Sequence, residues 1–450
     1  MKFKGTWILL AALAALVAYF YGVEEPRQEA RRQAEDRSAL LLPGFEADRV
    51  TEVSLEGTGG VLRLAKAEDG AWSVLEPWND RADIGRVRSL LAALGELKAS
   101  REVAGADADL GPFGLEEPEV AVATRGAEAR VAVGGLNPAG DFRYVRAGEG
   151  PVHLVPGHGL AALLGDPADF RSKDVLGDFP WSALAGLEVR TPGGEALRLT
   201  RAGEDWTIEA PLSAAADPEA VGRLTEKLRW ARVAGFLDED PGVVDQRLAD
   251  GTTVTVRGAG GEEATLRLAE VDGSVWAARV GRDAWFTVAE DVLDTVQVPA
   301  EALRRRKPLL LRGWKAERLE LRLADPIAEK SLTYGKEDGL WAREGAQVTG
   351  DELAALQDYL WVLETAAAAE ILDSTAADAE HGLDEPVLMA RVEEADGVVQ
   401  GFALGLRDDA LFARSREGGP VYRMPEEYLD KAQALFATAR PGGEPAPQTE

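Results

Sequence analysis

Apolar and polar residues alternate in short runs on either side of a turn, and this figure is written three times. It is fullest in "VLRLAKAEDGAWSVLEP" at 61–77 and returns as "GEDWTIEAP" at 203–211 and "KEDGLWARE" at 336–344. A period of two across a Gly- or Asp-bearing turn predicts a β-hairpin. After each hairpin the apolar spacing becomes helical. Val87, Leu90, Leu91, Leu94 and Leu97 share one face, as do Val221, Leu224 and Leu228, and then Leu353, Leu356, Leu360 and Leu363. Further alternating runs follow ("FRYVRA", "SVWAARV", "LFARS"), and each copy is expected to close with a short helix such as "AEDVLDTVQ" or "PEEYLDKAQ". Strands in groups, with helices between and short turns, predict an α+β fold of mainly antiparallel sheets.

The interval is regular. Trp72, Trp206 and Trp341 stand 134 and 135 residues apart, and Phe45, Trp181 and Trp314 stand 136 and 133 apart. Tyr144, Trp276 and Phe412 are separated by 132 and 136, and Gly114-Leu115 and Gly382-Leu383 by 268. Short solenoid repeats run to about 50 residues, so this period describes a whole domain present three times. A chain of 450 residues also carries a prior of about three domains. The expected partition is an N-terminal anchor over 1–23, a charged linker over 24–43, repeat domains over 44–176, 177–309 and 310–440, and a disordered tail over 441–450. Each domain is expected to hold one long and one short helix.

The start of the chain changes the picture. Lys2 and Lys4 precede seventeen uncharged residues, Trp7 to Val23. As a helix these reach about 25 Å, the short end of a membrane span. Trp7, Tyr19 and Tyr21 suit the two interfacial belts. A cleavable signal peptide needs small residues after its apolar core, whereas here the core ends in Ala18-Tyr19-Phe20-Tyr21-Gly22. The reading is an uncleaved single-pass helix in the bacterial inner membrane. With lysines before the span and Glu24-Glu25 after it, the bulk of the chain lies on the periplasmic side.

Composition narrows the function classes. A formal charge of −28, with 78 acidic residues, argues against nucleic acid as a partner, which requires a basic face. It suits solubility, or a basic protein partner. With no cysteine, disulfides, thiolate metal sites and a cysteine nucleophile are excluded. The one basic cluster, "RRRK" at 304–307, matches "FRSKDVL" at 170–176 in the first copy. It reads as a junction whose charges pair with neighbouring acids, against a lipid or partner patch.

The repeat also disciplines catalytic guesses. Asp83, Asp217 and Asp351 are spaced 134 and 134, so each fills the same slot at the start of a long helix. They read as N-caps accepting a bond from an orphan backbone N–H. His153, His158 and His381 fall in three different slots, and none forms a metal spacing such as H-x-x-x-H. No phosphate loop or G-x-S-x-G elbow occurs; "GGLNPAGD" at 134–141 joins two strand-like runs, and "GHGLAALLG" at 157–165 lacks dinucleotide spacing. No catalytic, cofactor-binding or metal-ligating residue is assigned, and the chain is read as a non-enzyme. The repeated tryptophans read as core caps on small domains; a carbohydrate-stacking role requires them to be exposed.

The order of these motifs resembles a known family. "LLPGFEADRVTEVSLE", "DGAWSVLEPWNDRADIGRVRSLLAALGEL", "FGLEEPEVAVAT", "FRYVRAGEGPVHLVP" and "FRSKDVL" look like the bacterial family called domain of unknown function 4340, in successive copies over about 38–440. The second copy keeps "WTIEAP" and "ADPEAVGRL" but carries "VVDQRLADG" in place of the Gly-Leu-x-x-Pro element. The third keeps "HGLDEP" but lacks the proline after its tryptophan and the closing arginine motif. The resemblance implies a membrane-attached extracytoplasmic protein associated with ABC-type export or gliding-type transport components. It brings no catalytic residues. The expectation is a non-catalytic periplasmic scaffold or adaptor; the alternative is an envelope glycan-binding protein or a carboxylate-dependent glycan hydrolase.

Overall fold

The computed structural model of the chain describes residues 39–57, 60–237, 239–324, 330–372 and 377–439. The expected membrane helix, the charged linker up to residue 38 and the tail over 441–450 lie outside these residues. No helix among the described residues is long and apolar enough to cross a membrane.

The first repeat builds one nine-stranded sheet from β1 (Glu52–Gly57), β2 (Gly60–Lys66), β3 (Trp72–Glu76), β4 (Asp80–Arg81), β5 (Arg101–Ala104), β6 (Val120–Arg125), β7 (Ala129–Leu136), β8 (Phe142–Ala147) and β9 (Val152–Pro156). The strand order is β4-β3-β2-β1-β6-β7-β8-β9-β5, and neighbours run antiparallel. Register follows the alternation read from sequence, since Val53 faces Leu64 and Leu55 faces Leu62, all four on the buried side. A helix, α1 (Ile84–Gly95), lays Val87, Leu90, Leu91 and Leu94 on that face. Two further nine-stranded sheets repeat the order. Their first strands, Leu184–Arg190 and Ala316–Leu323, begin 132 residues apart, as Glu52 and Leu184 do. The fold is α+β, with tandem repeats.

The long helices of the second and third repeats are α2 (Pro218–Arg229) and α5 (Gly350–Thr365). Val221, Leu224 and Leu228 are buried on α2, and Leu356, Leu360 and Leu363 on α5. The closing helix is α4 (Glu290–Val296) in the second repeat and α6 (Glu427–Thr438) in the third. The first repeat departs from expectation. Its closing segment forms only the single 3₁₀ turns Gly157–Leu160 and Pro167–Phe170, because Gly157, Gly159 and Pro167 disfavour a continuous α-helix there.

A second departure is α3 (Pro241–Leu248), capped by Asp240 accepting from Gly242 N. It stands where the other repeats have a 3₁₀ turn ending in a left-handed glycine, Gly114 at φ +67 and Gly382 at φ +68. A Cβ on Gly382 would meet the Leu406 carbonyl oxygen at 2.7 Å, so the Gly-Leu element is a close backbone approach. In the second repeat α3 buries Val244 and Leu248 instead.

By compactness the chain divides into two units. One runs up to Arg201 and includes Gly222–Val298; the other holds Ala202–Val221 and Pro299 onward. The first unit therefore contains the first sheet and most of the second. The second unit contains the third sheet and the hairpin Asp205–Ala210 with Ala214–Ala215.

Two of the three expected helix caps form. Asp83 Oδ1 accepts from Arg86 N at 2.9 Å. Asp217 Oδ1 accepts from Glu219 N at 2.8 Å and Ala220 N at 3.2 Å. A cap of this kind contributes about 0.5–2 kcal/mol. Asp351 is a correction, since it lies inside the first turn of α5, after Gly350 at φ +59, and makes no capping bond. The left-handed glycine changes the chain's entry angle, which leaves the carboxylate to act only on the positive end of the helix dipole.

Candidate functional site

Trp72 and Trp206 are only 7 % and 8 % exposed, and Trp72 belongs to the first core with Val53, Leu64 and Val74. Trp341 is partly buried against the third core. The exposure that carbohydrate stacking requires is therefore missing at Trp72 and Trp206. The histidines are scattered. His153 is half-buried on β9, His158 is exposed, and His381 packs its ring 4.7 Å from Phe412. Phe113 and Tyr144 make the same contact at 5.0 Å in the first repeat, so His381 occupies an aromatic packing slot. Among the described residues no group of His, Asp and Glu is placed to hold a metal ion.

Charged residues gather in two places. The first is buried inside the first unit. Asp80 on β4 is matched by Ala214 and Ala346 in the other repeats, as the hairpin registers show. Its side chain is fully buried, and those of Arg171 and Arg282 are 4 % and 2 % exposed. Asp80 Oδ1 accepts from Arg282 Nε at 2.7 Å and Arg81 N at 2.8 Å; Oδ2 accepts from Arg171 Nε at 3.0 Å and Arg282 Nη2 at 3.1 Å. Arg282 also donates to the carbonyls of Asp174 and Ser172 at 2.9 and 2.6 Å. Arg171 stacks on Phe236, 3.5 Å from the ring centroid, and on Trp78 at 4.8 Å. Two guanidiniums for one carboxylate leave an excess positive charge, which the carbonyl dipoles and aromatic faces offset. This ion cluster ties β4 of the first sheet to the turn after Ser274–Arg279 in the second. Arg171, in the "FRSKDVL" junction, pairs with an acid as expected.

Beside it, Asp178 bridges Arg81 and Arg279 at 2.5 and 2.7 Å. Partial burial alone would raise this carboxyl, but hydrogen bonds and charge from the two arginines outweigh it and hold the pKa at about 2. The group is depressed relative to its ordinary 3.8, so the stability it contributes is present above about pH 4 and is lost as pH falls toward 2. Its carboxylate is more than half exposed, so solvent screening keeps that contribution small. Asp178→Asn is expected to flatten the stability curve between pH 4 and 2, measured by urea unfolding at each pH. Identical curves for the two proteins would show the bridge to be idle.

The second gathering is an open cleft of about 640 Å³ within the second unit, lined by 204–205, 217–219 and segments of the third repeat. Arg305 and Lys307 of the "RRRK" cluster line it. Arg304 pairs with Glu301 at 3.0 Å, and Lys307 Nζ donates to the Glu364 carbonyl at 2.6 Å and lies 4.0 Å from Glu219. Arg306 donates to the Ala369 carbonyl at 2.9 Å. Arg305 differs: its Nε is buried without a hydrogen-bond partner, and no carboxylate among the described residues pairs with it. The junction reading thus holds for Arg304 and, weakly, for Lys307, but not for Arg305. Sequence reasoning singled out this cluster and could not tell which of its members would be left unmatched.

No functionally curated protein matches the chain. Among solved structures, a DNA polymerase sliding clamp from Pseudomonas aeruginosa is similar at 12 % identity, over 86 % of this chain and 97 % of that one, with a TM-score of 0.15. The DNA polymerase III subunit beta from the same organism gives 13 %, 86 %, 97 % and 0.16. Likeness at that TM-score carries no argument. The pattern described as "Domain of unknown function (DUF4340)" matches twice, over 72–250 and 206–386. The two matches begin at Trp72 and Trp206, so they are offset by the interval of the repeat. Because they span most of the chain between them, this protein belongs to the DUF4340 family.

Proposed function

We propose that the protein is a non-catalytic scaffold or adaptor, held in the inner membrane by residues 1–23, with repeat domains 44–176, 177–309 and 310–440 in the periplasm. The observation that carries this reading is the Asp80–Arg171–Arg282 cluster. Asp80 and Arg282 depart from the repeat, while Arg171 keeps the slot that Arg304 fills in the next copy, and all three are buried, hydrogen-bonded and used to join two sheets within one unit. Groups used in this way serve rigidity rather than turnover, since a catalytic group must reach a substrate. The apolar stretch before a stalk of mixed charge, "EEPRQEARRQAEDRSA", supports an anchor. The resemblance to extracytoplasmic transport-associated proteins supports components of an ABC-type exporter or gliding-type complex as the partner.

The test is a C-terminal alkaline phosphatase fusion combined with affinity isolation from detergent-solubilised bacterial membranes. The expected result is an active, full-length, membrane-bound fusion that recovers transporter subunits in stoichiometric amount. An inactive fusion, a shortened soluble one, or a chain recovered without transport components would overturn the reading.

A further inference from the structure

The cleft in the second unit has an unusual charge account. Four cations line it, Arg305, Lys307, Arg312 and Lys315. Arg312 is matched by Glu204 at 2.5 Å and Lys315 by Asp396 at 3.3 Å, and Lys307 is held by a carbonyl. Four of the lining carboxylates already accept backbone N–H groups: Asp217 from Glu219, Glu364 from Gly313, Glu394 from Arg312 and Asp396 from Val398. Without an ion pair among the described residues there remain one guanidinium, Arg305, and the carboxylates of Asp205, Asp217, Glu364, Glu394 and Glu417, so the lining is acidic around a single unmatched cation. Leu310, Val398 and Val399 add apolar wall, and both valines are exposed.

We propose that this cleft binds a short peptide by its free carboxyl end. An Arg fork matches a carboxylate by two parallel hydrogen bonds. The surrounding acids disfavour a multiply charged anion such as phosphate, because like charges at close range repel. The same acids favour an ammonium group on the ligand, so a zwitterion fits where a dianion does not. The volume lies in the range of pockets that enclose small ligands, and the apolar wall accepts an aliphatic side chain. The proposal goes beyond the adaptor reading and does not depend on it.

The experiment is calorimetric titration of the full chain in detergent with the tripeptide Ala-Leu-Ala, its C-terminal amide and its N-acetyl form. Saturable binding of the free tripeptide is expected. Amidation of the ligand, or Arg305→Ala in the protein, should weaken it roughly 10–100-fold, the range for a hydrogen bond to a charged group. N-acetylation should weaken it less, and Arg305→Lys should fall between. Thermal melts establish that the variants are folded, and the amide ligand tests the carboxylate without any substitution. No saturable heat with Ala-Leu-Ala, equal affinity for the amide, or unchanged binding by Arg305→Ala would overturn the proposal. Competition by inorganic phosphate at the same concentration as the peptide would overturn the carboxylate assignment.

Discussion

Asp80→Ala is expected to destabilise the first unit by about 3–5 kcal/mol, the usual cost of leaving a buried charge without its partner. The carboxylate accepts four hydrogen bonds, and two buried guanidiniums would then face each other with no anion between them. For a unit of this size the corresponding loss in melting temperature is roughly 6–20 °C. Calorimetry of the full chain should show one transition moving down while a transition from the second unit stays in place. The cost is one of mismatch rather than of lost attraction alone. Removing all three charges together, as Asp80→Leu with Arg171→Met and Arg282→Met, is therefore expected to recover much of the stability. A single Asp80→Ala chain that melts with the wild type would show the cluster to be solvated and would remove the observation on which the scaffold reading rests.

Trp72→Ala has the next largest expected effect, about 3–5 kcal/mol, because lost burial and a residual cavity add. The ring belongs to the core that also holds Val53, Leu64, Val74 and Leu90. Its own carbonyl accepts from Ala82 N at 2.9 Å, just before α1. The substitution thus strikes the core at the point where hairpin and helix meet. Trp72→Phe keeps most of the apolar volume and should cost less. Domain stabilities are only about 5–15 kcal/mol, so Trp72→Ala should open the first repeat to proteolysis within 44–176. Full stability with lost glycan affinity would return the tryptophans to a binding role. Trp72 and Asp80 sit on paired strands, so their combined effect is not expected to be additive.

Several features were legible in the sequence because they are local. Alternation over five or six residues marked the hairpins, and a 3.6-residue spacing marked α1, α2 and α5. An aspartate before a helical run marked the caps at Asp83 and Asp217. The repeat interval, read from tryptophans, also sets the offset of the two family matches. Local rules failed where a neighbouring residue changed the backbone. Gly350 moved Asp351 into the helix, glycines and a proline kept the first repeat's closing segment out of an α-helix, and Asp240-Pro241 started an unexpected one.

Tertiary structure alone decided the rest. The strand β5 pairs with β9 at the far edge of the sheet, past everything between them in the chain. Asp80 meets Arg282 across 202 residues; the sequence could show an aspartate where the other copies carry alanine, but not which cations would surround it. Of four adjacent basic residues at 304–307, Arg304 finds Glu301 only three residues back, but the packed surface alone determined that Arg305 would find no carboxylate. Periodicity is a property of neighbours along the chain and survives in one dimension. The pairing of a charge depends on which distant groups the topology brings within about 3 Å, and one dimension does not hold that information.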